Sequence, residues 1–166
     1  MTWAFAYGSL MGDAVLGRYP ARPARLPGFQ RAFVHESTRR WGTPERPCPI
    51  LGLSPGGECW GLAFAIPESE RGTVERALAK REAAGERRRE TRPAESPEGA
   101  VDAWVWVSRA ANGRAEADLD AIEARLRAAH GVVGTGVEYV RTVVHAMELH
   151  GIQDPLVATL WARLRA

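Results

Sequence analysis

The segment Trp3-Ala4-Phe5-Ala6-Tyr7-Gly8-Ser9 sets the expected fold, because its apolar and aromatic run stops abruptly at a glycine. A short apolar run bounded by a turn residue predicts a buried strand that leads into a tight loop. A glycine turn after a strand exposes successive backbone N–H groups, which can bind a carboxylate or an oxyanion. Taken by itself, the motif is more simply interpreted as an ordinary strand-ending turn.

The chain beyond this loop, up to residue 108, also predicts strands and turns. The spacer Ser54-Pro55-Gly56-Gly57 predicts a hairpin turn, and the three prolines of 20–27 predict irregular structure. An inserted helix is predicted over 67–84, ended by Gly85. The segments with strand composition are 29–35, 50–53, 58–66, 87–92 and 101–108.

The residue pattern in the last third of the chain predicts helices. Residues 118–129 have one apolar face and are followed by Gly131, where a C-cap glycine is expected. Thr135 and Glu138 have capping-box spacing, and Asp154-Pro155 is a favourable start for a final helix ending near residue 164. The chain is therefore predicted to be one α+β domain over 1–166, with a mixed sheet or small barrel and a helical C-terminal layer.

Composition excludes several classes of protein. The 166 residues contain no apolar stretch near the roughly 20 residues that a membrane span requires, and no secretory signal pattern. Lys80 is the only lysine among 22 basic residues, yet the net charge is only +2 and acidic residues are interleaved with the arginines. The triplet 87–89 is interpreted as a solvated or salt-bridged segment. A cytoplasmic protein that binds neither nucleic acid nor membrane is expected.

Few residues are candidates for catalysis. No phosphate loop, dinucleotide fingerprint or metal-ligand spacing is present, and Cys48 lies between two prolines without a basic neighbour. His145 and Glu148 are more simply a surface pair than part of a metal site. Glu82 by itself is most simply a surface glutamate, although its place near a helix C-terminus gives weak support for a base.

Seven short segments form a more specific pattern through their order and intervals: Phe5-Ala6-Tyr7-Gly8-Ser9-Leu10-Met11, Gly28-Phe29-Gln30-Arg31-Ala32-Phe33, Gly42-Thr43-Pro44, Trp60-Gly61-Leu62-Ala63-Phe64, Lys80-Arg81-Glu82, Glu138-Tyr139 and Gly151-Ile152-Gln153-Asp154. Each segment alone is weak. Together, along nearly the whole chain, they resemble the gamma-glutamylcyclotransferases of the ChaC type, enzymes that degrade glutathione.

The resemblance implies a small mixed β-barrel with inserted and C-terminal helices, and a cyclotransfer that uses no cofactor and no metal. It implies Glu82 as the catalytic acid and base, and a small gamma-glutamyl peptide, foremost glutathione, as the substrate. The loop binds the gamma-glutamyl group in this family, Tyr139 matches a tyrosine expected to contact substrate, and Arg31 is a further candidate for an anionic end. The implied substrate-binding residues are thus Tyr7, Gly8, Ser9, Leu10, Tyr139 and Arg31.

The chain departs from the family pattern at three places. It lacks the Gly-Gly-Tyr that follows the glutamate in several relatives, has His35-Glu36 where relatives often have glutamine and glycine, and has Pro47-Cys48-Pro49 where they have Pro-Gly-Arg. Three interpretations therefore stay open: a glutathione-specific enzyme, a cyclotransferase for other gamma-glutamyl peptides or amines, or a non-catalytic carboxylate-binding domain of the same fold.

Overall fold

A computed structural model describes residues 1–83, 87–108 and 117–166. Two short 3-10 turns, Ser9–Gly12 and Glu68–Glu70, accompany the strands and helices of these ranges. In chain order, the strands and helices are β1 (Thr2–Ala6), β2 (Ala21–Ser37), β3 (Cys48–Ile66), α1 (Arg71–Glu82), β4 (Arg87–Ser96), β5 (Gly99–Ser108), α2 (Leu119–Ala128), α3 (Gly136–Leu149) and α4 (Pro155–Leu164).

The five strands of the described ranges close into a barrel in the order β1-β3-β2-β4-β5. Four of the strand pairs are antiparallel, and the barrel closes through a parallel pairing in which Trp3 lies opposite Ala103 and Ala4 opposite Trp104. The predicted α+β fold with a small mixed barrel and flanking helices is confirmed.

Alternation along the strands divides the apolar side chains into two clusters. On β5, Val105 and Val107 belong to a cluster of strand residues only, whereas Trp104 and Trp106 belong to a larger cluster that includes residues of all four helices. Since successive side chains of a strand point to opposite faces, one cluster fills the barrel and the other attaches the helices to its outside. The prediction that the two tryptophans share one buried face is confirmed.

Two predictions for the strand region were wrong. Residues 20–27 are not irregular, because β2 runs through Pro23 and Pro27. This part of β2 pairs with β4 only at Arg25. A proline lacks a backbone N–H, but on this largely unpaired edge its absence removes no hydrogen bond of the sheet. The spacer 54–57 is not a hairpin turn either, since β3 continues through it. Gly56 and Gly57, with φ of 101° and 67°, form a bulge where the pairing register shifts.

The helices match their predicted positions closely. Thr135 and Glu138 form the predicted capping box of α3, and the Asp154 side chain caps α4 by accepting from the Val157 N–H. Helix α1 begins at Arg71, after a 3-10 turn, and the predicted stop at Gly85 lies outside the described residues. None of the helices in the described ranges combines the length and hydropathy that a membrane-spanning segment requires.

Gly61 of β3 is predicted to be essential for barrel closure. A Cβ at this position would lie 2.3 Å from the Ala6 carbonyl oxygen and 2.8 Å from Phe5 Cζ, so Gly61→Ala forces β1 and β3 apart. We expect a loss of about 3 kcal/mol in unfolding free energy by urea denaturation. The control Gly72→Ala, in α1, meets only the flexible Arg76 guanidinium at 3.4 Å and should raise stability by about 0.5–1 kcal/mol. Equal midpoints for both variants would contradict this packing.

Candidate active site

A cavity of about 120 Å³ opens at the barrel end where β1, β2 and β5 finish and β3 and β4 begin. Its lining brings together the loop after β1, residues 35–41 at the end of β2 and just beyond it, the end of α1 and one tyrosine of α3. Of the residues that the sequence assigned to a site, the structure places six around this cavity: Tyr7, Gly8, Ser9, Leu10, Glu82 and Tyr139.

Glu82 is the one acidic side chain buried in the described part of the chain, with 6% of its surface exposed. It is the last residue of α1, and its Oε1 accepts from Arg81 Nη1 and its Oε2 from Arg87 Nη1, both at 2.7 Å. These charge-assisted bonds compensate the cost of burying a carboxylate. Each oxygen retains a second lone pair, so the carboxylate can still accept a proton in the cavity.

Arg81 connects Glu82 to the loop after β1. Besides Glu82, its guanidinium donates from Nη2 to Ser9 Oγ at 3.1 Å and from Nε to Asp13 Oδ2 at 2.9 Å. The side chains of Arg81 and Asp13 are both largely buried, at 14% and 17% exposed. One guanidinium therefore fixes the position of the carboxylate relative to the loop.

Arg87 is a site residue that the sequence did not indicate. The triplet 87–89 was predicted to be solvated or salt-bridged, and the ion pairs are present, but the Arg87 side chain is only 12% exposed and lines the cavity. It donates to Glu82 and, from Nη2, to the Leu51 carbonyl at 3.1 Å. Its Nε is buried without a hydrogen-bond partner among the described residues. Arg87 thus ties Glu82 to the start of β3.

The loop from Tyr7 to Leu10 leaves β1 and enters the short 3-10 turn. The Met11 N–H bonds to the Gly8 carbonyl at 3.0 Å, which closes the turn. The N–H groups that precede the first closing bond of such a turn have no partner within it, so they are available to an anion. Tyr7 donates its hydroxyl to the Trp106 carbonyl at 2.7 Å, and burial raises the pKa of Tyr7 to about 12.

Tyr139 reaches the cavity from α3. Its hydroxyl accepts from the Leu51 N–H at 2.9 Å and lies 3.7 Å from where a Cβ of Gly8 would be, so it faces the loop. Burial raises the pKa of Tyr139 far above its usual range, although the Leu51 N–H opposes this change. The phenol therefore keeps its proton and can donate a hydrogen bond toward the loop.

Arg31 lies behind the loop and is not among the residues that line the cavity. Its guanidinium is buried and bonds to the Tyr7 carbonyl at 2.6 Å, to Asp154 at 2.9 Å and to the Trp60 carbonyl. All three groups are protein acceptors from distant parts of the chain. This arrangement supports the loop from outside, and it differs from the substrate contact expected from the sequence.

His35 also lines the cavity, and its Nε2 lies 2.7 Å from Ser108 Oγ. Burial, reinforced by the Arg87 guanidinium, lowers the pKa of His35 from 6.5 to about 4. The imidazole is consequently neutral at physiological pH and adds no positive charge to the cavity.

This pKa predicts a specific acid sensitivity. Between pH 6.5 and pH 4 the unfolded chain binds a proton at His35 that the folded chain does not, so the stability present above pH 6.5 is lost as the pH falls through this window. We expect His35 to contribute about 1 kcal/mol of destabilisation per pH unit, and His35→Gln to remove this contribution. Urea denaturation at pH 7.5, 6 and 5 measures it. Parallel pH profiles for the variant and the wild type would contradict it.

The two cysteines do not provide a nucleophile. Both are free and buried, and burial raises the pKa of Cys48 to about 12 and that of Cys59 to about 11. Thiols in this state are protonated at neutral pH and react weakly. The described residues also contain no cluster of three or more His, Cys, Asp or Glu side chains that could hold a metal ion.

Known proteins resemble this chain in sequence and in fold. The glutathione-specific gamma-glutamylcyclotransferase of Escherichia coli K12 is 37% identical over 76 residues, which are 46% of this chain and 32% of that protein. The solved structure of a yeast gamma-glutamyl cyclotransferase specific to glutathione superposes with a TM-score of 0.86 at 18% identity, covering 99% of this chain and 95% of that one. A further gamma-glutamyl cyclotransferase structure gives a TM-score of 0.58 at 19% identity, with 99% and 86% covered.

At such low identity the structural likeness shows a shared fold, and the Escherichia coli match spans about a third of that relative. The family assignment depends on a broader match. The family described as ChaC-like protein matches residues 2–166, which is nearly the whole chain. The barrel, the loop after β1 and the buried glutamate all lie inside that match, so the chain belongs to the ChaC-like protein family.

Proposed function

We propose that this protein is a gamma-glutamylcyclotransferase that cleaves glutathione into 5-oxoproline and Cys-Gly, with Glu82 as acid and base. The observation that carries the proposal is the buried Glu82 carboxylate, joined to the loop after β1 through Arg81, in a cavity at the barrel end. Membership in the ChaC-like family and the name of the Escherichia coli relative support the choice of substrate.

The gamma-glutamyl end of the substrate is assigned to the loop. N–H groups of Gly8, Ser9 and Leu10 would bind the α-carboxylate or the oxyanion that develops on the γ-carbonyl. The Tyr139 hydroxyl keeps its proton and faces Gly8, so it is a further donor for the substrate oxygen that the loop binds. Tyr7 contributes through its backbone and through the bond that ties the barrel end to Trp106.

The reaction needs no second reactant. The α-ammonium of the substrate gives a proton to Glu82, since an amine with a pKa near 8 is mostly protonated at neutral pH. The freed amine attacks the γ-carbonyl carbon, forming the ring C–N bond and placing negative charge on the oxygen. As the oxyanion re-forms the carbonyl, the bond to the cysteine nitrogen breaks and that nitrogen takes the proton from Glu82. The ring nitrogen then gives its extra proton to the Glu82 carboxylate, which passes it to the released amine, so that 5-oxoproline leaves as a neutral lactam and Cys-Gly as an ammonium. Because the attack is intramolecular, orientation alone can supply an effective molarity of about 10⁵–10⁸ M.

A substrate panel tests the proposal. The purified protein is incubated with glutathione, with gamma-glutamyl amino acids and with gamma-glutamyl amines, and 5-oxoproline release is quantified for each. The highest kcat/KM is expected for glutathione. Higher kcat/KM for the amino acids or amines would favour a broader gamma-glutamyl substrate, and saturable binding without any turnover would favour a carboxylate-binding domain.

We propose that residues 1–166 act as one catalytic domain, of the carbon–nitrogen lyase type, without a cofactor. Two free buried cysteines and a thiol substrate are suited to a reducing compartment, which favours the cytoplasm.

A further inference from the structure

Two arginines at the rim of the cavity differ from the others that line it. The guanidinium groups of Arg81 and Arg87 are both bonded to protein acceptors. Arg39 and Arg40 also line the cavity, yet neither side chain is bonded to an acceptor or an acid anywhere in ranges 1–83, 87–108 and 117–166. They are therefore free to meet a ligand.

The backbone that presents this arginine pair is fixed. The Val132 N–H donates to the Arg39 carbonyl at 2.9 Å, and the Val133 N–H donates to the Arg40 carbonyl at 2.8 Å. A Cβ at Gly131 would lie about 2.4–2.5 Å from these carbonyl oxygens. Gly131 was predicted as a C-cap glycine; instead it permits this close approach of two backbone segments, and its φ is not positive. The two arginines therefore lie on an anchored segment of backbone beside the cavity.

The acids of the cavity lining do not neutralise this pair. Glu82 is bonded to Arg81 and Arg87, and Glu36 forms an ion pair with Arg125. With His35 neutral, the four lining arginines exceed the two lining glutamates by two positive charges. An excess of positive charge in a cavity with low-dielectric walls attracts anionic ligands.

We propose that Arg39 and Arg40 bind the C-terminal carboxylate of the peptide substrate, so that the site selects gamma-glutamyl peptides with an anionic distal end. The inference rests on the proposed function. With the gamma-glutamyl end bound by the loop beside Glu82, the two residues beyond the scissile bond extend by up to about 7 Å, and a cation at that distance would bind the carboxylate they carry. Arginine binds a carboxylate through two parallel hydrogen bonds.

The test compares glutathione with its C-terminal amide, which differs by one negative charge at the distal end. Wild-type protein is expected to show a KM about tenfold higher for the amide, with kcat changed less than twofold. In the double variant Arg39→Gln/Arg40→Gln, KM for glutathione should rise about tenfold and KM for the amide should stay constant. The control Arg46→Gln removes an exposed arginine from the same segment that does not line the cavity, and should change neither KM.

Two results would overturn this inference while leaving the proposed function intact. One is an equal KM for glutathione and its amide in the wild type; the other is an amide-to-glutathione KM ratio that the double variant preserves. If no gamma-glutamyl compound is turned over, the proposed function fails. The role of Arg39 and Arg40 is then tested by measuring the affinities of the protein for glutathione and for its amide by calorimetry. Equal affinities of the wild type for both would then overturn it.

Discussion

Glu82→Gln is expected to lower kcat for 5-oxoproline release from glutathione by about 10³-fold or more. The amide keeps the size of the side chain and can still contact Arg81 and Arg87, but it can neither accept the α-ammonium proton nor deliver one to the departing nitrogen. General acid–base catalysis typically contributes 10²–10⁴-fold, and here one group is assigned both proton transfers. KM should change much less, because the loop that binds the gamma-glutamyl group is unaltered.

The matched control for this variant is Glu75→Gln. Glu75 lies on the same helix, is ion-paired with Arg89 at the surface and does not line the cavity. Its replacement should leave kcat within twofold of the wild type. Circular dichroism and thermal unfolding establish that both variants are folded. Glu82→Gln with wild-type kcat in a folded protein would contradict the assignment of Glu82.

Arg87→Gln is expected to damage both stability and catalysis. The change removes the bond to Glu82 Oε2 and the bond to the Leu51 carbonyl, leaving a buried carboxylate with a single cationic partner. Removing one partner of a buried ion pair typically lowers the free energy of unfolding by about 3–5 kcal/mol. Because Glu82 keeps its contact with Arg81, we expect a loss near the lower end, about 3 kcal/mol. Because Glu82 is no longer held from two sides, kcat should fall about 10²-fold, which steady-state kinetics on the folded variant measures.

Arg88→Gln provides the neighbouring control. Arg88 is adjacent in sequence, is more than half exposed and pairs with Glu90 at the surface. Surface pairs contribute about 0–1 kcal/mol, so both stability and kcat should stay close to wild type. If both substitutions changed stability and kcat equally little, Arg87 would not be needed to position Glu82.

The sequence predicted where strands and helices begin better than it predicted how far each strand continues. The buried strand at Phe5, the capping box at Thr135 and the Asp154-Pro155 helix start are local patterns, and all three are present. The turn signal at Gly56-Gly57 is equally local, but glycines with positive φ occur both in hairpin turns and in some β-bulges. Only the pairing of β3 with β2 along its whole length decides between them.

The sequence predicted some of the residues that line the cavity, and tertiary packing determines the others. The loop and Glu82 lie together around one cavity, as the resemblance implied. Arg87 and the two residues after it are all arginines, so the sequence does not distinguish them. Arg87 differs because its side chain is largely buried at the start of β4. Arg31 was expected at the substrate, but its three acceptors come from the loop after β1, from β3 and from the cap of α4, which no sequence spacing brings together.

The most direct test of cyclotransfer is to follow glutathione cleavage by the wild-type protein in water enriched in ¹⁸O. Intramolecular attack consumes no water, so 5-oxoproline and Cys-Gly should form in equal amounts, with no ¹⁸O in the 5-oxoproline. Release of glutamate carrying one ¹⁸O would show hydrolysis of the gamma-glutamyl bond instead. That product, or failure to cleave glutathione at all, would contradict the account of a buried Glu82 that serves an internal nucleophile.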